Sequence, residues 1–74
     1  MLVTLKEILK IAEEKNIAVG SFNCPNLEAL EAILAAAEEN QLPVILQFAQ
    51  CHEPWIKLSL IGPIMIDQAK KANV

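Results

Sequence analysis

Two short apolar segments constrain the fold of this chain more than any other feature. Ile17–Phe22 is a near-continuous apolar run between turn residues, and Pro43–Ala49 shows no clean alternation of polar and apolar residues. Short apolar runs bounded by turn residues predict strands. Strands that lack alternation are typical of parallel sheets covered on both faces. The sequence therefore predicts two strands that are buried within a layered α/β structure.

Helical patterns surround and separate these strands. Thr4 and Glu7 form a capping box, in which the Thr4 hydroxyl accepts the Glu7 amide hydrogen and the Glu7 side chain returns to the Thr4 amide. Asn16 suits the end of this helix because asparagine tolerates a left-handed conformation. Asn26 is placed to cap a second helix. Apolar residues at helical spacing give each helix one apolar face: Leu5, Ile8, Leu9, Ile11 and Ala12 in the first, and Leu27, Leu30, Ile33, Leu34 and Ala37 in the second.

A third helix is predicted after a loop at residues 50–57. It opens near Ser59 and continues through Ala69, with Lys70 and Lys71 at its negative end. Pro63 is compatible with this helix if it lies in the first turn, where its missing N–H removes no hydrogen bond.

The order helix, strand, helix, strand, helix contains one βαβ unit, whose two strands should run parallel. Two parallel strands leave two open sheet edges and cannot satisfy their backbone groups alone. The chain has 74 residues and is 54% hydrophobic, which is apolar for so small a domain. We therefore expect residues 1–74 to be a single incomplete domain. Its missing strands come from a continuing chain or from partner chains, and a homo-oligomer is expected.

Charge and composition exclude several classes of function. The net charge is −3, with six scattered lysines and no arginine, so the basic face that nucleic-acid binding requires is missing. No apolar stretch approaches the length that spans a bilayer, and the charged N-terminal residues interrupt any targeting segment. We expect a cytoplasmic protein without membrane or nucleic-acid partners, in which Cys24 and Cys51 are free thiols.

Polar side chains follow both predicted strands at the point where each strand ends. Asn23 and Cys24 follow the first strand, and Gln47 lies near the end of the second, before Cys51-His52-Glu53. Ligands of parallel α/β sheets bind at the carboxyl ends of the strands. Asn23 and Gln47 are therefore candidate binding residues. Asn23 could instead bond within its own turn, and Gln47 could be a core residue whose amide finds a partner.

The reactive side chains near these ends have simpler interpretations as well. Cys24 is either a small buried hydrophobe or, paired with His52, a thiolate nucleophile. Cys51, His52 and Glu53 are adjacent, whereas zinc sites use separated pairs of ligands, so we expect no metal site here. Trp55 is expected to pack as a lid or as a subunit contact.

The ordered set of these segments resembles a known family. Residues 17–49 read IAVGSFNCPNLEALEAILAAAEENQLPVILQFA and follow TLKEILKIAEEKN. The set is similar to the N-terminus of class II ketose-bisphosphate aldolases, the zinc-dependent fructose- and tagatose-bisphosphate enzymes. The resemblance covers essentially the whole chain. It implies an α/β fold that is the N-terminal portion of a (β/α)8 TIM barrel: an N-terminal helix followed by the first two βα units.

The resemblance also implies an activity and a cofactor. Members of this family cleave a ketose 1,6-bisphosphate, of the fructose or tagatose type, into dihydroxyacetone phosphate and an aldehyde. They use Zn²⁺ held by three histidines, and an aspartate as the acid/base group. None of these groups maps onto residues 1–74, which end where the third barrel strand would start, so no catalytic or metal-binding residue is assigned.

Two residues do match positions near the substrate in the family. Asn23 matches a residue that contacts the substrate, and Gln47 matches a position near the dihydroxyacetone-phosphate part of the site. Ala49 and residues 50–54 depart from the serine and glycine-containing loop that often holds phosphate. The alternative to an aldolase segment is a non-catalytic α/β module that pairs its open sheet edges with a partner or with itself. A thiol enzyme that uses Cys24 or Cys51 is a third possibility.

Overall fold

A computed structural model describes all residues from Met1 to Val74. The chain forms three α-helices, two strands and one short 3₁₀ turn, in the order predicted from the sequence. The elements are α1 (Leu5–Lys15), β1 (Ser21–Asn23), α2 (Leu27–Asn40), β2 (Ile45–Gln47), the 3₁₀ turn (Gln50–His52) and α3 (Leu58–Lys71).

The two strands form a parallel sheet, which confirms the predicted βαβ unit. Ser21 pairs with Ile45, and Asn23 pairs with Gln47. The strands are shorter than the predicted segments Ile17–Phe22 and Pro43–Ala49, and β1 ends one residue later. An apolar run indicates where side chains avoid water, whereas a strand extends only as far as its backbone finds a partner.

Neither strand carries a fully buried side chain within this chain. The Phe22 side chain is 47% exposed, and the residues of β2 are half-buried or exposed. The prediction of strands covered on both faces is therefore not met by the chain's own three helices. Both outer sheet edges are also unpaired, because the sheet contains two strands only.

The ends of α1 follow from local side-chain chemistry. The Glu7 amide donates to Thr4 Oγ1 at 3.2 Å, which confirms the first half of the capping box. The Glu7 carboxylate accepts from the Thr4 hydroxyl at 3.0 Å and not from the Thr4 amide as predicted. Asn16 ends the helix in the left-handed region with φ of 54°, as expected.

The second helix begins and ends in the same manner. The Ala29 amide donates to Asn26 Oδ1 at 2.8 Å, which confirms Asn26 as the N-cap. Gln41 ends the helix with φ of 54°. This conformation costs a residue with a Cβ about 1–2 kcal/mol, so Gln41 occupies a position that glycine would fill more easily.

The start of α3 agrees with the prediction, but the position of Pro63 does not meet the condition set for it. The helix begins at Leu58, and Pro63 is its sixth residue, so Pro63 lies beyond the first turn. Because proline has no N–H, the carbonyl of Ser59 loses its partner within the helix. The N-cap residue Lys57 has no capping side chain. Glu53 takes that role from the preceding loop, where its Oε2 accepts from the Leu58 amide at 3.0 Å.

The buried core is small for a chain of this length. Seven residues are buried: Ile8, Ala12, Cys24, Leu30, Ala37, Ile61 and Ala72. Beside this core, α1, β2 and α3 enclose an apolar groove of about 310 Å³, with Ile11, Ile45 and Met65 among its lining residues. None of the helices is long and apolar enough to cross a membrane. The fold leaves apolar surface open beside the sheet.

Candidate functional site

The carboxyl ends of the two strands lie together at one edge of the sheet. Asn23 and Gln47 are the last residues of β1 and β2, and they are register partners. Because side chains alternate along a strand, Ser21, Asn23 and Gln47 lie on the same face of the sheet. The predicted clustering of the polar strand ends is confirmed.

The loop after β2 turns back toward β1. The amide of His52 donates to the carbonyl of Ala49 at 3.0 Å, and the carbonyl of His52 accepts from Trp55 and Ile56 at 3.0 Å each. These backbone bonds form the 3₁₀ turn and the turn that follows it. They fix a loop that the sequence alone left without structure.

Two groups of this loop hold the side-chain amide of Asn23. The Ala49 backbone N–H donates to Asn23 Oδ1 at 2.9 Å. On the other side of the amide, Asn23 Nδ2 lies 2.7 Å from Nε2 of His52. These partners are 26 and 29 residues away along the chain. The interpretation of Asn23 as a residue that bonds within its own turn is therefore wrong.

Gln47 makes a separate contact on the same face. Its Oε1 accepts from the Ser21 hydroxyl at 2.5 Å. The residue is exposed, so Gln47 is not a core residue within this chain. Its amide oxygen is engaged within the sheet, and its amide nitrogen remains a donor for a ligand.

Cys24 packs as a small buried side chain. It is fully buried, and its thiol donates to the Phe22 carbonyl at 3.7 Å. Desolvation by burial raises the pKa of the Cys24 thiol, and a hydrogen bond with the Gln47 backbone opposes this only in part. A raised pKa keeps the thiol protonated, and the thiolate is the nucleophilic form. The geometry favours the structural interpretation of Cys24 over a thiol enzyme.

The side chains of Cys51, His52 and Glu53 have different surroundings. Cys51 is exposed, His52 meets Asn23, and the Glu53 carboxylate caps α3. No group of three or more histidine, cysteine, aspartate or glutamate side chains in the chain is arranged to hold a metal ion. The residues of this chain therefore do not fit a zinc site.

Aromatic rings surround His52 on two sides. The imidazole centroid lies 6.3 Å from that of Phe48 and 6.4 Å from that of Trp55, both in tilted arrangements. Trp55 is 81% exposed, so it lies at the surface beside the site. These contacts restrict the orientation of the imidazole ring.

The sequence placed His52 in a loop near the strand ends but did not identify its contact with Asn23. It identified neither the Ala49 N–H nor Ser21 as part of this site. The Ala49 donor belongs to the backbone and carries no side-chain signal. The one available signal for His52 was its position in the loop that follows a strand end. Nothing in the spacing of Asn23 and His52 predicts a contact at 2.7 Å.

The resulting site offers neutral hydrogen-bond donors. One N–H of Asn23 Nδ2 remains after the contact with His52, and Gln47 adds its amide nitrogen. Such N–H groups bind oxygen atoms of carbonyl, hydroxyl or phosphate groups. The arrangement can orient an oxygen-rich ligand, and its one imidazole, that of His52, contacts Asn23 through Nε2.

Comparison with known proteins gives a consistent result. The sequence profile of the family "Fructose-bisphosphate aldolase class-II" matches residues 3–74. A probable fructose-bisphosphate aldolase of Bacillus subtilis is 58% identical over 45 residues, which is 61% of this chain and 16% of that protein. The 6-phospho-5-dehydro-2-deoxy-D-gluconate aldolase of Halalkalibacterium halodurans is 57% identical over 44 residues, 60% of this chain and 15% of that protein.

A third relative extends the match slightly. The fructose-bisphosphate aldolase of Thermus caldophilus is 50% identical over 50 residues, 68% of this chain and 16% of that protein. No solved structure matches the chain significantly. The matched segments span about a sixth of the length of these curated relatives. Because the family profile covers nearly the whole chain, the chain belongs to the class-II fructose-bisphosphate aldolase family.

Proposed function

We propose that residues 1–74 form the N-terminal part of a (β/α)8 barrel that cleaves a phosphorylated ketose into dihydroxyacetone phosphate and an aldehyde. The family match over residues 3–74 is the observation that carries this proposal. The two open sheet edges and the apolar groove beside β2 support it. In a closed barrel, further strands pair with such edges, and inward side chains fill the space beside them.

Within that barrel, Asn23 and Gln47 contribute substrate contacts and no chemistry. Active sites of these barrels lie at the carboxyl ends of the strands, and both residues occupy that position. The free N–H of Asn23 donates to an oxygen of the substrate. Gln47 donates through its amide nitrogen near the dihydroxyacetone-phosphate part.

The catalytic metal is supplied from outside these residues. A zinc ion held by residues outside this chain would supply Lewis-acid stabilisation of negative charge on the substrate. No side chains of residues 1–74 fit such a site. The zinc ligands and the acid/base aspartate then belong to the later part of the barrel, and the chain alone is inactive.

The identity of the sugar is not determined by this region. Relatives named for two different substrates match it with 58% and 57% identity. A ketose 1,6-bisphosphate of the fructose or tagatose type is the proposed substrate, and the loop at residues 49–54 adjoins the proposed site through Ala49 and His52. The proposed location is the cytoplasm, and the two free cysteines agree with its reducing conditions. The complete enzyme is proposed to be a homo-oligomer.

The test compares the complete polypeptide that contains residues 1–74 with the isolated chain of 8.1 kDa. Intact mass identifies each sample, and aldol cleavage is measured with fructose and tagatose 1,6-bisphosphates, with and without a zinc chelator. We expect chelator-sensitive cleavage by the longer polypeptide and none by the isolated chain. Cleavage by the isolated chain contradicts the proposal. A stable, zinc-free oligomer of the 8.1-kDa chain, in the absence of any longer polypeptide, also contradicts it. That result would support the non-catalytic α/β module that pairs its open sheet edges.

A further inference from the structure

The orientation of the Asn23 amide is determined by a donor whose identity is certain. The Ala49 backbone N–H can only donate, so the atom of Asn23 that faces it at 2.9 Å must be the carbonyl oxygen Oδ1. The amide nitrogen Nδ2 then faces Nε2 of His52 at 2.7 Å. A flipped amide would place two donors against each other at Ala49. The backbone thus removes the usual ambiguity of an asparagine side chain.

The same reasoning assigns the protonation state of His52. An amide nitrogen donates and does not accept, so Nε2 of His52 must present its lone pair to Asn23. The imidazole is then neutral, with its proton on Nδ1. Since Nε2 is engaged by Asn23, it is not free to bind a metal ion or to activate a thiol.

The contact with His52 also limits rotation of the Asn23 amide. The terminal torsion of asparagine is broad and weakly restricted on its own. One bond from Ala49 fixes Oδ1 as an anchor but leaves the amide plane free to tilt. The second bond, at Nδ2, fixes the plane. Phe48 and Trp55 restrict the imidazole that makes this bond. With the amide plane held at both ends, the second N–H of Asn23 Nδ2 points in one fixed direction.

We propose that His52 is a positioning residue, whose Nε2 lone pair holds the Asn23 amide so that its free N–H meets a substrate oxygen. This inference rests on the proposed function, because it requires a phosphorylated ketose at the carboxyl ends of the strands. His52 touches Asn23 and not the reacting atoms. A binding group must be held within about 10–20° of its productive geometry to be effective.

The test uses the complete, zinc-loaded enzyme that contains residues 1–74, with fructose 1,6-bisphosphate as the substrate. His52→Leu removes the acceptor, and His52→Gln restores one through its amide oxygen. Cys51→Ala is the matched control, since Cys51 lies in the same 3₁₀ turn and is exposed. Steady-state kinetics give kcat and KM separately, and ¹⁵N NMR of labelled histidine reports which ring nitrogen of His52 carries the proton.

We expect His52→Leu to raise KM about tenfold with a much smaller change in kcat, because the substrate contact is made before and during the reaction alike. His52→Gln should remain within about threefold of the parent enzyme, as one hydrogen bond of ordinary strength is restored. Cys51→Ala should match the parent. The spectrum should show the proton on Nδ1 and a bare Nε2.

Several outcomes would overturn the proposal. They are an unchanged KM in His52→Leu, a folded His52→Gln enzyme that is as impaired as His52→Leu, or a proton on Nε2 in the parent enzyme. If His52→Leu does not fold, His52→Gln and the ¹⁵N spectrum decide. If the parent enzyme lacks cleavage activity, the proposed function has failed, and the positioning role falls with it even where the spectrum confirms the hydrogen bond.

Discussion

Replacement of Asn23 by alanine separates a binding role from a structural one. The change removes the acceptor for the Ala49 N–H and the donor to His52. Each neutral hydrogen bond contributes about 0.5–1.5 kcal/mol net, and the site is only partly buried, so we expect unfolding to become easier by about 1–2 kcal/mol. In a complete enzyme this lowers the melting temperature by a few degrees.

The effect of Asn23→Ala on activity should be larger than its effect on stability. The variant loses the proposed donor to the substrate, and the Ala49 N–H and His52 lose their partner. We expect kcat/KM to fall about tenfold to hundredfold, which corresponds to about 1.4–2.7 kcal/mol. The assay is aldol cleavage of fructose 1,6-bisphosphate by the complete enzyme, with thermal unfolding measured on the same samples.

Asn26→Ala provides a matched control within the chain. Asn26 also accepts from a backbone N–H, that of Ala29 at 2.8 Å, and caps α2. Its loss should cost about 1 kcal/mol of stability and leave kcat/KM unchanged. Equal activity in the two variants, at equal loss of stability, would refute a substrate role for Asn23.

The remaining predictions concern packing, backbone conformation and thiol reactivity. Leu30→Ala, at a side chain that is 1% exposed, should lower the free energy of unfolding by about 2–5 kcal/mol. Urea unfolding checks this, with exposed Glu39→Ala as a control that should stay within about 0.5 kcal/mol. Gln41→Gly should raise the free energy of unfolding by about 1 kcal/mol, because φ is 54° at this position. A decrease in the free energy of unfolding would contradict the argument that the backbone is strained there. Iodoacetamide should modify exposed Cys51 well before buried Cys24. Because burial raises the pKa of the Cys24 thiol, less of its thiolate forms at each pH. Mass spectrometry of samples treated from neutral to alkaline pH should therefore show less modification of Cys24 than of Cys51 at every pH.

Local chemistry made the helix ends and the element order predictable. The caps at Thr4, Asn16 and Asn26 depend on residues within a few positions, and each lies where the sequence placed it. The strand bounds were less accurate because hydrophobicity reports burial and does not report pairing. The start of α3 was predicted within one residue, but Pro63, which was compatible with the helix if it lay in the first turn, is the sixth residue of a helix that Glu53 caps from the loop.

The site was predictable in position but not in detail. Parallel strands bring their carboxyl ends together, so Asn23 and Gln47 could be placed at one edge from the sequence. The partners of Asn23 could not, because they depend on how residues 49–56 fold back across the sheet. Three backbone hydrogen bonds at His52 set that path, and no residue pattern in the loop indicates them.

The use of a main-chain donor at Ala49 has an evolutionary consequence. Every amino acid except proline supplies the same N–H at this position. The side chain at position 49 can therefore vary while Asn23 Oδ1 keeps its partner. Substitutions at position 49 can thus accumulate one at a time without loss of the orientation of the amide at the strand end.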